Sequence, residues 1–137
     1  MDRETFAAKA AAVDRHLQRV SARLPPTGMA LAPASDASDA VVLHLWQAVQ
    51  LVLDVALGAC PRLGLSVPRS YGEALDILAN AGRLPRPLAD RLVKAVAFRN
   101  RVAHVYENLD LAVVAEAARE GPADLRAFLS HAAAWFP

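Results

Sequence analysis

FAAKAAAVDRHLQRVSARL, residues 6–24, carries apolar positions at Phe6, Ala10, Val13, Leu17, Val20 and Leu24, with spacings that alternate four and three. That alternation keeps all six on one stripe of an α-helix, the seam by which bundled helices meet. Arg15, Arg19 and Arg23 fall on other faces, Pro25-Pro26-Thr27-Gly28 ends the segment, and a loop runs to Ser35. A second helix begins between residues 35 and 39, where Asp36 and Asp39 suit the positive end of a helix dipole, and stops at Pro61. A short third helix opens on the capping box Ser70-Tyr71-Gly72-Glu73 and closes at Asn80-Ala81-Gly82. A fourth runs from about Pro87, a residue suited to a first turn. Two short segments, 110–119 and 122–135, follow on either side of Gly121. No strand-period alternation competes, so the expected fold is all-α: an up-and-down four-helix bundle with additional short C-terminal helices, one domain over residues 1–137.

With 137 residues the chain can bury a core without disulfides or metal. The single Cys60 sits in an apolar run and reads as a buried thiol. No Cys/His set has zinc spacing and no glycine-rich phosphate loop occurs, so metal-centred and nucleotide-hydrolysing chemistries lose support. Met1-Asp2-Arg3-Glu4 lacks the basic start and apolar run of a signal peptide, which points to the cytoplasm. The hydrophobic fraction is 55% and the mean hydropathy +0.22. Residues 41–60 resemble a membrane span but are interrupted by His44, Gln47, Gln50 and Asp54, which are expensive in lipid. A buried central helix that also supplies a subunit interface explains the excess better.

The richest chemistry lies in Arg99-Asn100-Arg101-Val102-Ala103-His104-Val105-Tyr106. This octet joins two fixed cations, an amide, an imidazole and a phenol within about two helical turns, the groups that phosphodiester chemistry without a metal uses. It continues the stripe Leu88, Leu92, Val96 in steps of four through Asn100 to His104, so the inward face is expected to turn polar there. Arg99 and His104 are five residues apart, about 140° around a regular helix. Either the helix ends near His104, or the second group reaching a shared phosphate comes from another chain. A helix C-terminus also collects Arg, Lys and His for reasons of its dipole alone.

The net charge of +1 does not announce a nucleic-acid binder, but Arg83, Arg86, Arg91, Lys94, Arg99 and Arg101 face only Asp90 within residues 83–101. From that patch Arg91, Lys94 and Arg101 are the candidates to touch a nucleic-acid backbone, with a plain solvated face as the alternative. Gln47, Gln50 and Asp54 share one helix face, either its wet side or a stripe facing the octet with Asp54 pairing an arginine. His16, His44 and His131 lack acidic or Cys companions at ligand spacing and read as surface or satisfied core. Trp46, Trp135 and Phe136 read as packing residues.

On these residues the chain resembles the HEPN superfamily, and within it the HepT-like toxins of prokaryotic HEPN/MNT toxin–antitoxin pairs. Besides the octet, the resemblance is carried by Met1-Asp2-Arg3-Glu4, by Leu45-Trp46-Gln47-Ala48-Val49-Gln50-Leu51-Val52-Leu53-Asp54, by Ser70-Tyr71, and by Phe98 before the motif. Residues 27–34 are the least family-like part. The resemblance implies a HEPN-type bundle acting as a cofactor-free, metal-independent endoribonuclease toxin of type VII, a homodimer with its two octets facing across a cleft. His104 then acts as general base on a ribose 2′-hydroxyl or as acid to the leaving oxygen, Arg99 holds the scissile phosphate, and Asn100 orients one of them. Cleavage would be restricted to RNA. Tyr106 matches the tyrosine that accepts AMP from the cognate minimal nucleotidyltransferase antitoxin, MntA, which implies neutralisation by AMPylation. A different class stays open: some HEPN domains serve as non-catalytic partners or substrate-binding subunits of nucleotidyltransferases. Retention of the whole octet favours the nuclease.

Overall fold

The computed structural model describes residues 1–105 and 108–137, Val105 by its backbone alone. Its elements are α1 (Arg3–Arg23), α2 (Asp36–Arg62), α3 (Tyr71–Asn80), α4 (Arg86–Val105), α5 (Leu111–Ala132) and a closing 3₁₀ turn (Ala133–Trp135). The fold is all-α, as the apolar periodicity requires. α2 runs through the centre and packs against α1, α3, α4 and α5, while α4 also touches α3 and α5. This position accounts for its composition: Val41, Ala48, Val52, Leu53, Val55, Ala56, Ala59 and Cys60 are all buried. By length and composition alone α2 is apolar enough to cross a membrane, with a mean hydropathy of 1.7 over its most apolar window, half of which is buried in the bundle.

Local chemistry sets most boundaries. Asp2, Ser35 and Ser70 cap α1, α2 and α3, each side chain accepting a backbone N–H three residues on, from Thr5, Ser38 and Glu73. α2 does not stop at Pro61, as the sequence suggested, but runs through Arg62. Gly64 ends it, with φ +72°: the Leu65 N–H bonds Cys60 O and the Gly64 N–H bonds Pro61 O, closing a Schellman motif. Pro61 costs the last turn only one donor. Gly82 repeats the device after α3, with Arg83 N–H on Leu78 O.

The two short C-terminal segments are in fact one helix, α5, running through Gly121 and Pro122. Its buried line Val114, Ala118, Leu125, Phe128 and Ala132 keeps helical register across the break. A mid-helix proline costs about 3 kcal/mol, whereas burying Leu125 and Phe128 yields roughly 1.5–3 kcal/mol each, so packing overrides the local signal.

At one end of the bundle the chain termini are clasped together. Phe6 packs 4.7 Å from Phe136, Phe128 meets Trp135 edge-on, and the Met1 side chain lies over Gly58, where a Cβ would come within 3.1 Å of it. Cys60 is buried as expected, its thiol near the Ala56 and Ala74 carbonyls, and burial pushes its pKa up. That thiol is a packing group.

Candidate active site

At the polar part of the bundle four helices bring side chains together around Arg99. α4 supplies Arg99, half-buried, and its neighbour Asn100. α2 supplies Gln50 and Asp54 one turn apart, α1 supplies Lys9, and the Ser70 cap fixes the start of α3 so that Tyr71 stands beside them. The Arg99 Nε donates to Gln50 Oε1 at 3.0 Å, and its Nη1 donates to Asn100 Oδ1 at 2.9 Å. The Tyr71 ring lies under the guanidinium, 5.4 Å from its carbon.

A second layer holds the first. The Gln50 amide nitrogen donates to the Tyr71 hydroxyl at 2.6 Å and to Asp54 Oδ1 at 3.1 Å, and the Tyr71 hydroxyl donates to the same carboxylate at 3.4 Å. Asp54 also faces Lys9 Nζ at 4.0 Å. Every donor and acceptor role is consistent, which fixes the amide of Gln50 with its oxygen toward Arg99. The acceptors on Arg99 are neutral amides, so its charge is oriented without being cancelled. Among the described residues its Nη2 has no protein partner, leaving an edge of the guanidinium for a bidentate oxyanion.

Two expectations from the sequence do not hold in this region. Asn100 and His104 do not point inward; both are exposed, and the buried position in this stretch of α4 is Val102. Asp54 pairs with Lys9 rather than an arginine, and Gln50 is the residue that reaches Arg99. Gln47 is half-buried on the same ridge and makes no side-chain hydrogen bond among the described residues. Arg91, Lys94 and Arg101 sit on the other side of α4, along a groove of about 400 Å³ whose α5 wall carries Glu116, Glu120 and Asp124. Arg91 is tied there to Asp124 at 3.0 Å. Tyr106 lies outside the described residues.

A family model described as Ribonuclease HepT-like matches residues 11–132. This chain belongs to the HepT-like family. A relative named mRNA nuclease HepT, from Shewanella oneidensis, is 29% identical over 91 residues, covering 66% of this chain and 68% of that protein. A crystal structure described as a toxin–antitoxin with AMP-PNP superposes with a TM-score of 0.83 at 22% identity, over 96% of this chain and 97% of that one. A tri-AMPylated Shewanella oneidensis HEPN toxin in complex with MNT antitoxin gives 0.84 at 24% identity, over 96% and 97%. The Bacillus subtilis cytosolic protein YutE, of unknown function, gives 0.81 at 16% identity, over 98% and 90%. The fold is thus that of HEPN toxins.

In this HepT-like chain Gln50, Tyr71 and Lys9 join the candidate site although the octet alone does not point to them. Gln50 lies on the polar ridge visible in sequence. Tyr71 stands next to a helix cap and within the Ser70-Tyr71 pair that carries part of the resemblance, but nothing in its own sequence window points to Arg99.

Proposed function

We propose that this chain is a metal-independent endoribonuclease toxin whose site is assembled from two copies of α4. The observation that carries the reading is the guanidinium of Arg99, stacked, anchored by two neutral amides and open along one edge, five residues before an exposed imidazole. The open edge suits the two non-bridging oxygens of a phosphodiester. His104 takes the 2′-hydroxyl proton, the 2′-oxygen attacks phosphorus, and the bond to the 5′-oxygen breaks, that oxygen leaving with a proton from His104 of the partner subunit. The products are a 2′,3′-cyclic phosphate and a 5′-hydroxyl. Arg99 stabilises the charge that gathers on the phosphoryl oxygens, and Asn100 holds the guanidinium edge.

Two features support a homodimer. Arg99 and His104 diverge by about 140° around α4, so one helix does not aim both at the same phosphate. Val93, Ala97, Asn100 and His104 are exposed at alternating spacings of four and three, a seam fit for a second copy of the same helix. Arg101 flanks that seam. Regulation in this reading is AMPylation of Tyr106 by an MntA-like nucleotidyltransferase, in line with the toxin–antitoxin complexes that share the fold. The anionic adduct would compete with RNA beside His104. The setting proposed is the cytoplasm.

Purified protein is expected to cleave single-stranded RNA in EDTA, leaving cyclic phosphate ends. His104→Ala should lower cleavage about 10²- to 10⁴-fold without changing the circular dichroism. A requirement for added divalent metal, or full activity in His104→Ala, refutes the mechanism. Binding to a nucleotidyltransferase with no cleavage of any RNA would instead make this a partner module.

A further inference from the structure

The ridge of α2 that holds Gln50 extends beyond the active site. His44, Gln47, Gln50 and Asp54 follow at spacings of three, three and four, and all four are half-buried. α1 lies antiparallel beside them: Lys9 faces Asp54, and one stretch further His16 faces His44. The two imidazoles meet Nδ1 to Nδ1 at 2.9 Å, their rings 5.2 Å apart, so one nitrogen donates and the other accepts. The charged groups acting on this pair are Arg15, Arg19 and Arg23, all exposed cations, with no carboxylate among them. Burial first, then for His16 the facing His44, and then these arginines hold both imidazoles below their ordinary pKa.

Of the acids nearby in sequence, Asp54 is held by Lys9, Gln50 and Tyr71 and Asp14 by Arg126 and Gln18, while Asp36 and Asp39 lie exposed in the first turn of α2. What remains along the seam past the imidazoles is the positive charge of Arg15, Arg19 and Arg23, spread over about 12 Å of α1. The guanidinium clamp of Arg99 lies beyond the opposite end of the ridge, next to Gln50. A polyanion leaving the active site along α2 would find, in order, the free amide of Gln47, the imidazole pair, and the arginines.

We propose that the α1/α2 seam past Gln47 and the His16–His44 pair to Arg19 and Arg23 is a docking track for the backbone of single-stranded RNA. The proposal rests on the ribonuclease reading above. It assigns substrate contacts to α1, away from the α4/α5 groove, where acids face the basic residues. A positively charged channel with scattered amides and rings is how proteins follow a single strand without reading a sequence. Such contacts exchange counterions, so affinity should depend on salt.

The test uses the full-length protein with His104→Ala, which leaves RNA intact, and a fluorescent single-stranded RNA of mixed sequence titrated between 50 and 200 mM salt. Adding Arg19→Gln and Arg23→Gln should weaken binding roughly tenfold and flatten the log–log salt slope by about 1.4, since each lost phosphate contact is worth about 0.7. Arg3→Gln with Arg69→Gln removes the same charge elsewhere and should do neither. In protein that retains His104, the Arg19/Arg23 pair should raise KM and spare kcat. Unchanged affinity and slope overturn the track. So does a change in sedimentation without loss of RNA binding, which would mean that the seam seats a second copy of the chain. If the protein cleaves no RNA, the ribonuclease reading fails by itself, and the binding arm still decides the track.

Discussion

Arg62 stacks 4.9 Å from the centre of Phe136, and Arg99 stacks 5.4 Å from the centre of Tyr71. Each also donates two hydrogen bonds, yet the acceptors differ in kind. Arg62 reaches backbone carbonyls, Trp135 O at 2.8 Å and Met1 O at 3.1 Å, and so fastens both termini to the end of α2. Arg99 reaches two side-chain amides, of which Gln50 is held in turn by a phenol and by a carboxylate that a lysine faces. Backbone acceptors belong to the fold, so the first guanidinium is used up in holding it. Neutral side-chain amide acceptors position a cation and leave its charge available. The same residue and the same stacking thus make a clasp at the end of α2 and, in the function proposed above, a poised binding group beside its middle.

The sharpest way to break this contrast is to remove each arginine. Arg99→Ala should lower RNA cleavage about 10²- to 10³-fold, the usual effect of deleting a transition-state donor, with an unchanged urea midpoint. Equal loss of stability would make Arg99 another clasp. Arg62→Ala should do the reverse, costing about 1.5–3 kcal/mol in urea unfolding for its charged hydrogen bonds while cleavage per folded molecule stays the same. A finer probe is Gln50→Glu, which turns the neutral clamp into an ion pair competing with phosphate. Its KM should rise roughly tenfold at low salt and recover partly in Gln50→Leu, since a charge-assisted carboxylate contact is about twice as strong as a neutral one.

Acid touches neither arginine, and its effect should be the smallest. His16 and His44 both titrate below their ordinary 6.5, through burial first, then for His16 the facing His44, and then neighbouring cations. The folded state therefore binds fewer protons than the unfolded chain just below that pH. The stability this contributes is fully present above 6.5 and declines as pH falls through the folded values. Urea midpoints measured from pH 7.5 to 5 should show this decline, and His16→Gln should flatten it.

How far the sequence speaks depends on the range of the interactions. α1 and α3 are legible because capping and seam spacing are local, and Asp2, Ser70 and Gly82 act as their residue types predict. The octet is legible because its spacing is itself chemical. The inward placement of Asn100 and His104 was misleading for a geometric reason: each step of four over-rotates by about 40°, so a line begun at Leu88 has left the core by His104. The interior is instead reached through Ala95, Phe98 and Val102. α5 hid behind its Gly121-Pro122 pair because packing across the bundle decides it. Gln50 and Tyr71 meet Arg99 from two other helices, with Lys9 of a third behind them on Asp54, and no window of sequence contains that meeting.

Pro122 has a consequence for how α5 breathes. Lacking an N–H, it leaves the Ala118 carbonyl without its intrahelical donor, at a point flanked by glycine. The second half of the helix is anchored by Leu125 and Phe128 beneath Trp135, whereas the first half walls the groove against α4. A ladder missing a rung there is expected to divide α5 into two cooperative units. Amide hydrogens of residues 113–121 should exchange with solvent through partial opening, well before those of residues 125–132, which wait for global unfolding. On that outcome the single helix of the fold opens to solvent as two shorter ones.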